Sequence, residues 1–249
     1  MFVGDDIRSL KLTIDYAKNN NFDTYANYYT NSTNQKYEDE KKKLAESTDR
    51  YADLIFNAKI DQISYLKSEQ YGWTYIYDKD SFFKNDNKFY NLTTIKILHS
   101  PSNPISKGTQ LVRAAIKKLQ VEGYKFEYIE LINVTNNVVL EHLKTSHIVL
   151  NQFYSFAPGL YGIESMANHT AVLMSADPNI ETTLPQNSKD AWMITRYWEV
   201  YDNLKYLLDN PAKIKYYADN GYEFTYKHYT YEAAANYIKN VLIENGINN

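Results

Sequence analysis

The sequence has no cysteine among its 249 residues. Disulfides and thiolate metal sites are therefore excluded, which fits a reducing compartment. Net charge is nearly absent too: 27 Lys and Arg against 30 Asp and Glu leave −3, so no bulk pull toward nucleic acid or membrane is expected. No apolar run approaches the ~18 residues of a membrane helix. The segment Met1-Phe2-Val3-Gly4-Asp5-Asp6 has neither the basic nor the apolar region of a secretion signal. These absences predict a cytoplasmic protein, at most peripheral at the inner face of the membrane. Also missing are the phosphate loop GxxxxGK(S/T), the HExxH zinc motif and the GxSxG nucleophile elbow. The histidines at 99, 142, 147, 169 and 228 are not spaced as metal pairs, so no metal site is expected.

What is present suits a packed core. Hydrophobic residues make up 44%, and the 25 tyrosines suit half-buried positions. A polar stretch, 78–92, reads as a linker and divides a partial unit, 1–90, from a larger one, 91–249. In the first, residues 1–4 read as the end of a buried strand. Residues 9–20 read as a helix on Leu10, Ile14 and Ala17, and the charge run 38–43 as a solvated helix face or loop. Segments 53–56 and 73–77 read as strands and 60–66 as a helix.

In the second unit, strand patterns at 94–98, 126–132, 147–150 and 171–174 alternate with helices at 108–119 and 138–143, and a further helix opens at 164–167. Segments 198–208, 212–219 and 231–243 are helical. The first of these stops at Asn210-Pro211, and the last two are separated near Gly221 and His228. Single helices between strands imply parallel pairing through right-handed crossovers. The predicted class is α/β: a Rossmann-like parallel sheet with helices on both faces, preceded by a partial second Rossmann-like domain.

In such sheets ligands sit beyond the carboxyl ends of strands, and helix starts attract anions. Lys107-Gly108 falls at such a junction. The pair fits either a surface lysine on a capped helix or a phosphate contact, lysine bringing charge and glycine close approach of backbone amides. Glu164 reads as a helix-start carboxylate, either a dipole partner or an acceptor for a ribose diol. His99 ends a strand beside Ser100 and either faces the cleft or is structural.

Taken in order, several segments of 93–240 form a recognisable set. They are Ile95-Lys96-Ile97-Leu98-His99-Ser100-Pro101 with Lys107-Gly108-Thr109, then Gly123-Tyr124, Asn133-Val134-Thr135-Asn136 and His147-Ile148-Val149-Leu150-Asn151-Gln152. Tyr161-Gly162-Ile163-Glu164-Ser165-Met166-Ala167, Leu207-Leu208-Asp209-Asn210-Pro211, Gly221 and His228-Tyr229 complete it. This region resembles the C-terminal, donor-binding domain of GT-B glycosyltransferases, specifically the retaining family 4 group. Residues 1–92 resemble the second half of the N-terminal acceptor domain.

The resemblance implies donor-diphosphate contacts from Lys107, Gly108 and Ser165, and nucleoside contacts from Asn133, Val134 and Glu164. It implies acceptor-side contacts from Asp5, Asp6 and Arg8, within the segment Gly4-Asp5-Asp6-Ile7-Arg8. It further implies sugar transfer, with retention, from a nucleotide diphosphate sugar to a glycan or lipid-linked acceptor, without metal or other cofactor. The sequence departs from the family at several places, and Asn151 and His147 stand where relatives often have aspartates. Pro104 stands in the region of an expected arginine, and Phe156 stands where the family's Glu-x7-Glu has its first acid. A second polypeptide or oligomer completing the N-terminal domain is therefore a candidate partner, and a non-catalytic GT-B partner subunit is the alternative to a complete enzyme. A sugar-nucleotide epimerase of the same architecture would need catalytic acids that the chain does not display.

Overall fold

The structure is a computed structural model that describes residues 1–2, 5–28 and 34–247. Five strands build one parallel sheet: β1 (Ile95–His99), β2 (Phe126–Glu130), β3 (Ile148–Leu150), β4 (Ala171–Met174) and β5 (Met193–Ile194). Their order is β2-β1-β3-β4-β5, with every pairing parallel. All residues of β3 and β4 are buried, as expected of strands covered on both faces. The sheet thus confirms the α/β, Rossmann-like reading; β5 adds a short strand that the sequence pattern did not announce.

Period-2 alternation divides the strand side chains between two cores. On one face Leu98, Val149, Val172 and Met174 meet α4 (Asn136–Leu143) and α5 (Gly159–Ala167). On the other, Ile97, Ile148, Leu150 and Leu173 meet α3 (Thr109–Val121) and α6 (Val200–Asp209). The α3 positions 112, 115, 116 and 119 are buried as their spacing predicts, while Leu111 is half-buried.

The helix after Pro211 departs from expectation. The two helices read at 212–219 and 231–243 are both present, but the first, α7 (Pro211–Tyr229), runs on through Gly221 and His228, and α8 (Tyr231–Glu244) follows after Thr230 alone. Pro211 opens α7, where a missing N–H costs nothing. Gly221 is there for close approach: a Cβ would lie 2.8 Å from the Ala191 carbonyl and 2.9 Å from Met166. The helix therefore changes partners midway. Ile214 and Ala218 join the α3–α6 face, and Phe224 and Tyr229 the α4–α5 face.

The N-terminal region holds two helices, α1 (Leu10–Asn19) and α2 (Gln35–Tyr51). The charge run 38–43 is on α2, and within it Glu38 is buried, receiving Ser9 Oγ (2.6 Å), Tyr65 Oη (2.8 Å) and the Lys11 amide (3.1 Å). Three expectations are overturned. Residues 53–56 and 73–77 form no strands but only single bridges, Phe56 with Tyr71 and Tyr77 with Thr230, and 60–66 is turns rather than helix. Of the strand end read at 1–4, Met1 and Phe2 are not in a strand, and Val3 and Gly4 lie outside the described residues.

Tyr75 and Tyr77 pack into the α4–α5 core. The stretch 78–92 is docked rather than loose. The His147 ring donates to the Lys88 carbonyl (2.9 Å), the His169 ring accepts from the Asn85 amide (3.2 Å), and Phe89 is buried. No helix among the described residues is long and apolar enough to cross a membrane.

Two carboxylates tie the N-terminal region to the sheet domain. Glu181, fully buried, accepts the consecutive amides of Lys59 (3.1 Å), Ile60 (2.7 Å) and Asp61 (2.8 Å). Asp61 in turn accepts Ser155 Oγ (2.5 Å) and the amides of Phe156 (2.7 Å) and Ala157 (3.2 Å).

Two outcomes are expected. Glu181→Ala strands several buried N–H groups and should cost about 2–4 kcal/mol in urea unfolding, with Glu181→Gln losing less. The second concerns Lys88, whose Nζ donates to the Asn168 carbonyl (3.1 Å) and whose burial pulls its pKa down to about 7. The folded chain releases this proton near neutrality, whereas the unfolded chain keeps it to about 10.4. The unfolded state therefore binds more protons across that window, and stability should rise by about 2 kcal/mol between pH 7 and 9. Lys88→Met should flatten the rise; an equal slope in the variant would assign it to other groups.

Candidate functional site

The strand order reverses direction at β1, which has β2 on one side and β3 on the other. A crevice is forced open beyond the carboxyl ends of β1 and β3, because the following loops diverge. Two cavities lie there. The larger, about 640 Å³, is walled by Lys107, Gln152 and Gly159 from the sheet domain and by Arg8, Asp61 and Trp73 from the N-terminal region. The smaller, about 350 Å³, is walled by Asn133, Val134, Asn136, Tyr161 and Glu164. Ser102 borders both.

Lys107 reaches the larger cavity because Asn103 folds the chain after β1. Its side-chain oxygen accepts the amides of Ile105 (3.1 Å) and Ser106 (3.2 Å), and its carbonyl accepts that of Lys107 (3.1 Å). Gly108, at φ +79°, then turns the chain into α3. The Lys107 ammonium donates to the Gln152 side-chain oxygen, and burial pushes its pKa below that of an ordinary lysine. Placing an anion beside it would favour the charged form.

Glu164 carries the complementary perturbation, burial holding its carboxyl above the usual range. Asn136 Nδ2 donates to its Oε1 at 2.9 Å. Asn133 stands at the mouth with φ +58°, a left-handed conformation that asparagine tolerates. Beside it Val134 is 41% exposed.

Several sequence-predicted residues take other places. The helix read as opening at Glu164 begins at Gly159, so Glu164 lies mid-helix and is not a dipole cap. Ser165 is therefore interior as well. It is fully buried, its hydroxyl donates to the Tyr161 carbonyl (2.6 Å), and it lines neither cavity, so no diphosphate contact follows from it. Gly159 and Leu160, at the true helix start, border the larger cavity instead, where the Gly159 amide donates to Tyr75 Oη (2.7 Å).

His99 does not face the cleft. It is fully buried, with its ring between the Leu150 carbonyl (2.7 Å) and Thr109 Oγ1 (2.9 Å). Of the acceptor-side residues, Asp5 and Arg8 border the larger cavity, whereas Asp6 borders neither. Asp61, Gln152 and Asn136 were missed. For Asp61 no local motif could have shown it, since its partners lie more than 50 residues away; Pro158-Gly159 was the available signal for the helix start.

One group outside the cavities has metal-like spacing, with ligand atoms of Asp86, His169 and Asp219 within 4.8 Å of one another. Lys215 Nζ already supplies a cation there, 2.8 Å from both Asp86 and Asp219.

No protein-family profile matches the chain, and no curated protein matches it in sequence. Solved structures do match in fold. Sucrose-phosphate synthase from Thermosynechococcus elongatus superposes with a TM-score of 0.62 at 13% identity, over 95% of this chain and 66% of that one. HepE of Anabaena, in complex with UDP-glucose, gives 0.55 at 11% identity, over 82% of this chain and 68% of HepE. TarM gives 0.55 at 12% identity, over 81% of this chain and 45% of TarM. The fold is thus the GT-B fold that these structures share, in a chain that spans from under half to about two thirds of their length.

Gly108→Ala tests how the lysine is held. A side chain at φ +79° is strained, and its Cβ would press on Leu111 at 3.3 Å. A loss of about 1–2 kcal/mol in thermal or urea unfolding is expected; no loss would show that the turn accommodates a Cβ.

Proposed function

We propose that this chain binds a nucleotide diphosphate sugar and forms the donor side of a glycosyltransferase. The observation that carries the reading is the placement of Lys107 and Glu164 on two cavities that meet at Ser102 below the switch in strand order. The smaller cavity takes the nucleoside, with its ribose hydroxyls on the Glu164 carboxylate and the base against Asn133 and Val134. The diphosphate lies across Ser102 toward Lys107 and the start of α5, and the sugar enters the larger cavity.

A buried ammonium and helix-start amides would offset charge growing on the leaving diphosphate, an electrostatic contribution that is strong because the site is preorganised and partly dry. By the resemblance, transfer proceeds with retention to a glycan or lipid-linked acceptor and asks no metal of the protein. The bound UDP-glucose of HepE supports the donor class. A second reading, a nucleotide-binding partner that completes its acceptor side with another chain, is favoured by Phe156. Its ring turns to Phe22 (5.2 Å between centroids) and Arg196, so position 156 itself gives the cavity no acid.

Calorimetry with UDP, GDP, UDP-glucose and GDP-mannose tests the donor site. Lys107→Ala should weaken the nucleotide that binds by about 10–100-fold, the worth of one charge-assisted contact. Wild-type affinity should decline with rising pH sooner than an exposed lysine would allow, because the Lys107 pKa is lowered. Absence of binding by all four ligands removes the reading. Turnover of the same donors, with and without a second polypeptide, separates enzyme from partner.

A further inference from the structure

We propose that the Asp61 carboxylate receives hydroxyl groups of the donor's sugar, so that the N-terminal region supplies the acid that the loop before α5 lacks. This rests on the nucleotide-sugar reading of the two cavities. If the diphosphate lies between Ser102 and Lys107, the sugar on its terminal phosphate falls within the larger cavity. The walls there include Asp61, Trp73, Tyr75 and Arg8, with Asp5 as a second acid. Such a wall suits a sugar: an aromatic face covers C–H surface, and a fixed carboxylate accepts vicinal hydroxyls.

Asp61 is fixed from every side. Glu181 holds its amide at 2.8 Å, and Arg8 Nε donates to its carbonyl at 2.8 Å. Ser155 Oγ and the amides of Phe156 and Ala157 converge on Oδ1, and Arg8 Nη2 approaches Oδ2 at 3.2 Å. The carboxylate therefore sits on the backbone of residue 156, while the Phe156 ring points away toward Phe22 and Arg196. Asp61 is also electrostatically coupled to Lys107, whose positive charge it favours while Arg8 opposes it. Acid and ammonium thus share one cavity from opposite halves of the molecule.

A merely structural Asp61 would hold the 155–157 loop and act on every ligand alike, whereas a sugar contact acts on the conjugate alone. The experiment measures UDP, UDP-glucose, GDP and GDP-mannose against wild type and Asp61→Asn, whose side-chain oxygen can still accept the three donors on Oδ1. The conjugate should bind about tenfold more weakly to the variant, with the parent diphosphate unchanged. Equal weakening of both ligands, or of neither, overturns the assignment. So does a wild type that binds a diphosphate but neither conjugate.

If Asp61→Asn does not fold, the wild type decides with UDP-glucose analogues deoxygenated at C2, C3, C4 or C6. At least one should lose about tenfold in affinity; four analogues that match the parent overturn the proposal. A wild type that binds no nucleotide at all overturns the donor reading itself, and this inference falls with it.

Discussion

The arrangement depends on an exchange of carboxylates between the two halves of the molecule. Glu181, from the loop after β4, serves the amides of 59–61, and Asp61, at the end of that turn, serves the amides of 156 and 157. Turn amides have no partners in a helix or sheet ladder, and leaving them unpaired inside a protein costs as much as a lost hydrogen bond. Each half therefore completes the backbone of the other. The N-terminal region has no sheet among the described residues, so this exchange, with the packing of Tyr75 and Tyr77, gives it a fixed place beside the cleft.

The same economy shapes the cleft. Lys107 and Glu164 are both drawn out of water, and burial moves each toward its neutral form. A ligand bringing phosphate to one and hydroxyls to the other would offset both penalties at once. Asn136 holds Glu164 and Gln152 holds Lys107, so neither side chain has to be reorganised first. The role of these neighbours is to keep desolvated groups pointed where a ligand would meet them.

The sheet was legible because its strands are short apolar runs separated by helices of clear 3.6-residue spacing, the pattern that burial on both faces imposes. Lys107, Gly108, Asn133 and Val134 could be placed at element ends for the same reason, whereas Glu164, read as a helix start, lies mid-helix. Errors arose where the physical cause is long-range. Segments 53–56 and 73–77 have strand composition, but no neighbouring strand pairs with them among the described residues, and their backbone groups go to single bridges such as Tyr77 N to Tyr229 O, 2.7 Å. Gly221 reads as a break because sequence cannot show Ala191 and Met166 pressing on it. The Ser165 expectation followed from placing the start of α5 at Glu164, and of the two readings open for His99 the structural one holds, because Leu150 and Thr109 surround the imidazole.

The uninterrupted course of α7 has a consequence for how the molecule comes apart. Its first half belongs to one face of the sheet and its second half to the other, with Gly221 at the changeover. A layer whose helices are all its own can open while the rest persists, giving separate levels of protection against hydrogen exchange. Here neither layer has that independence, since peeling either end of α7 strips apolar cover from the strands that both layers share. The central sheet and its two coats are therefore one cooperative unit, and graded opening is left to the segments that α7 does not touch.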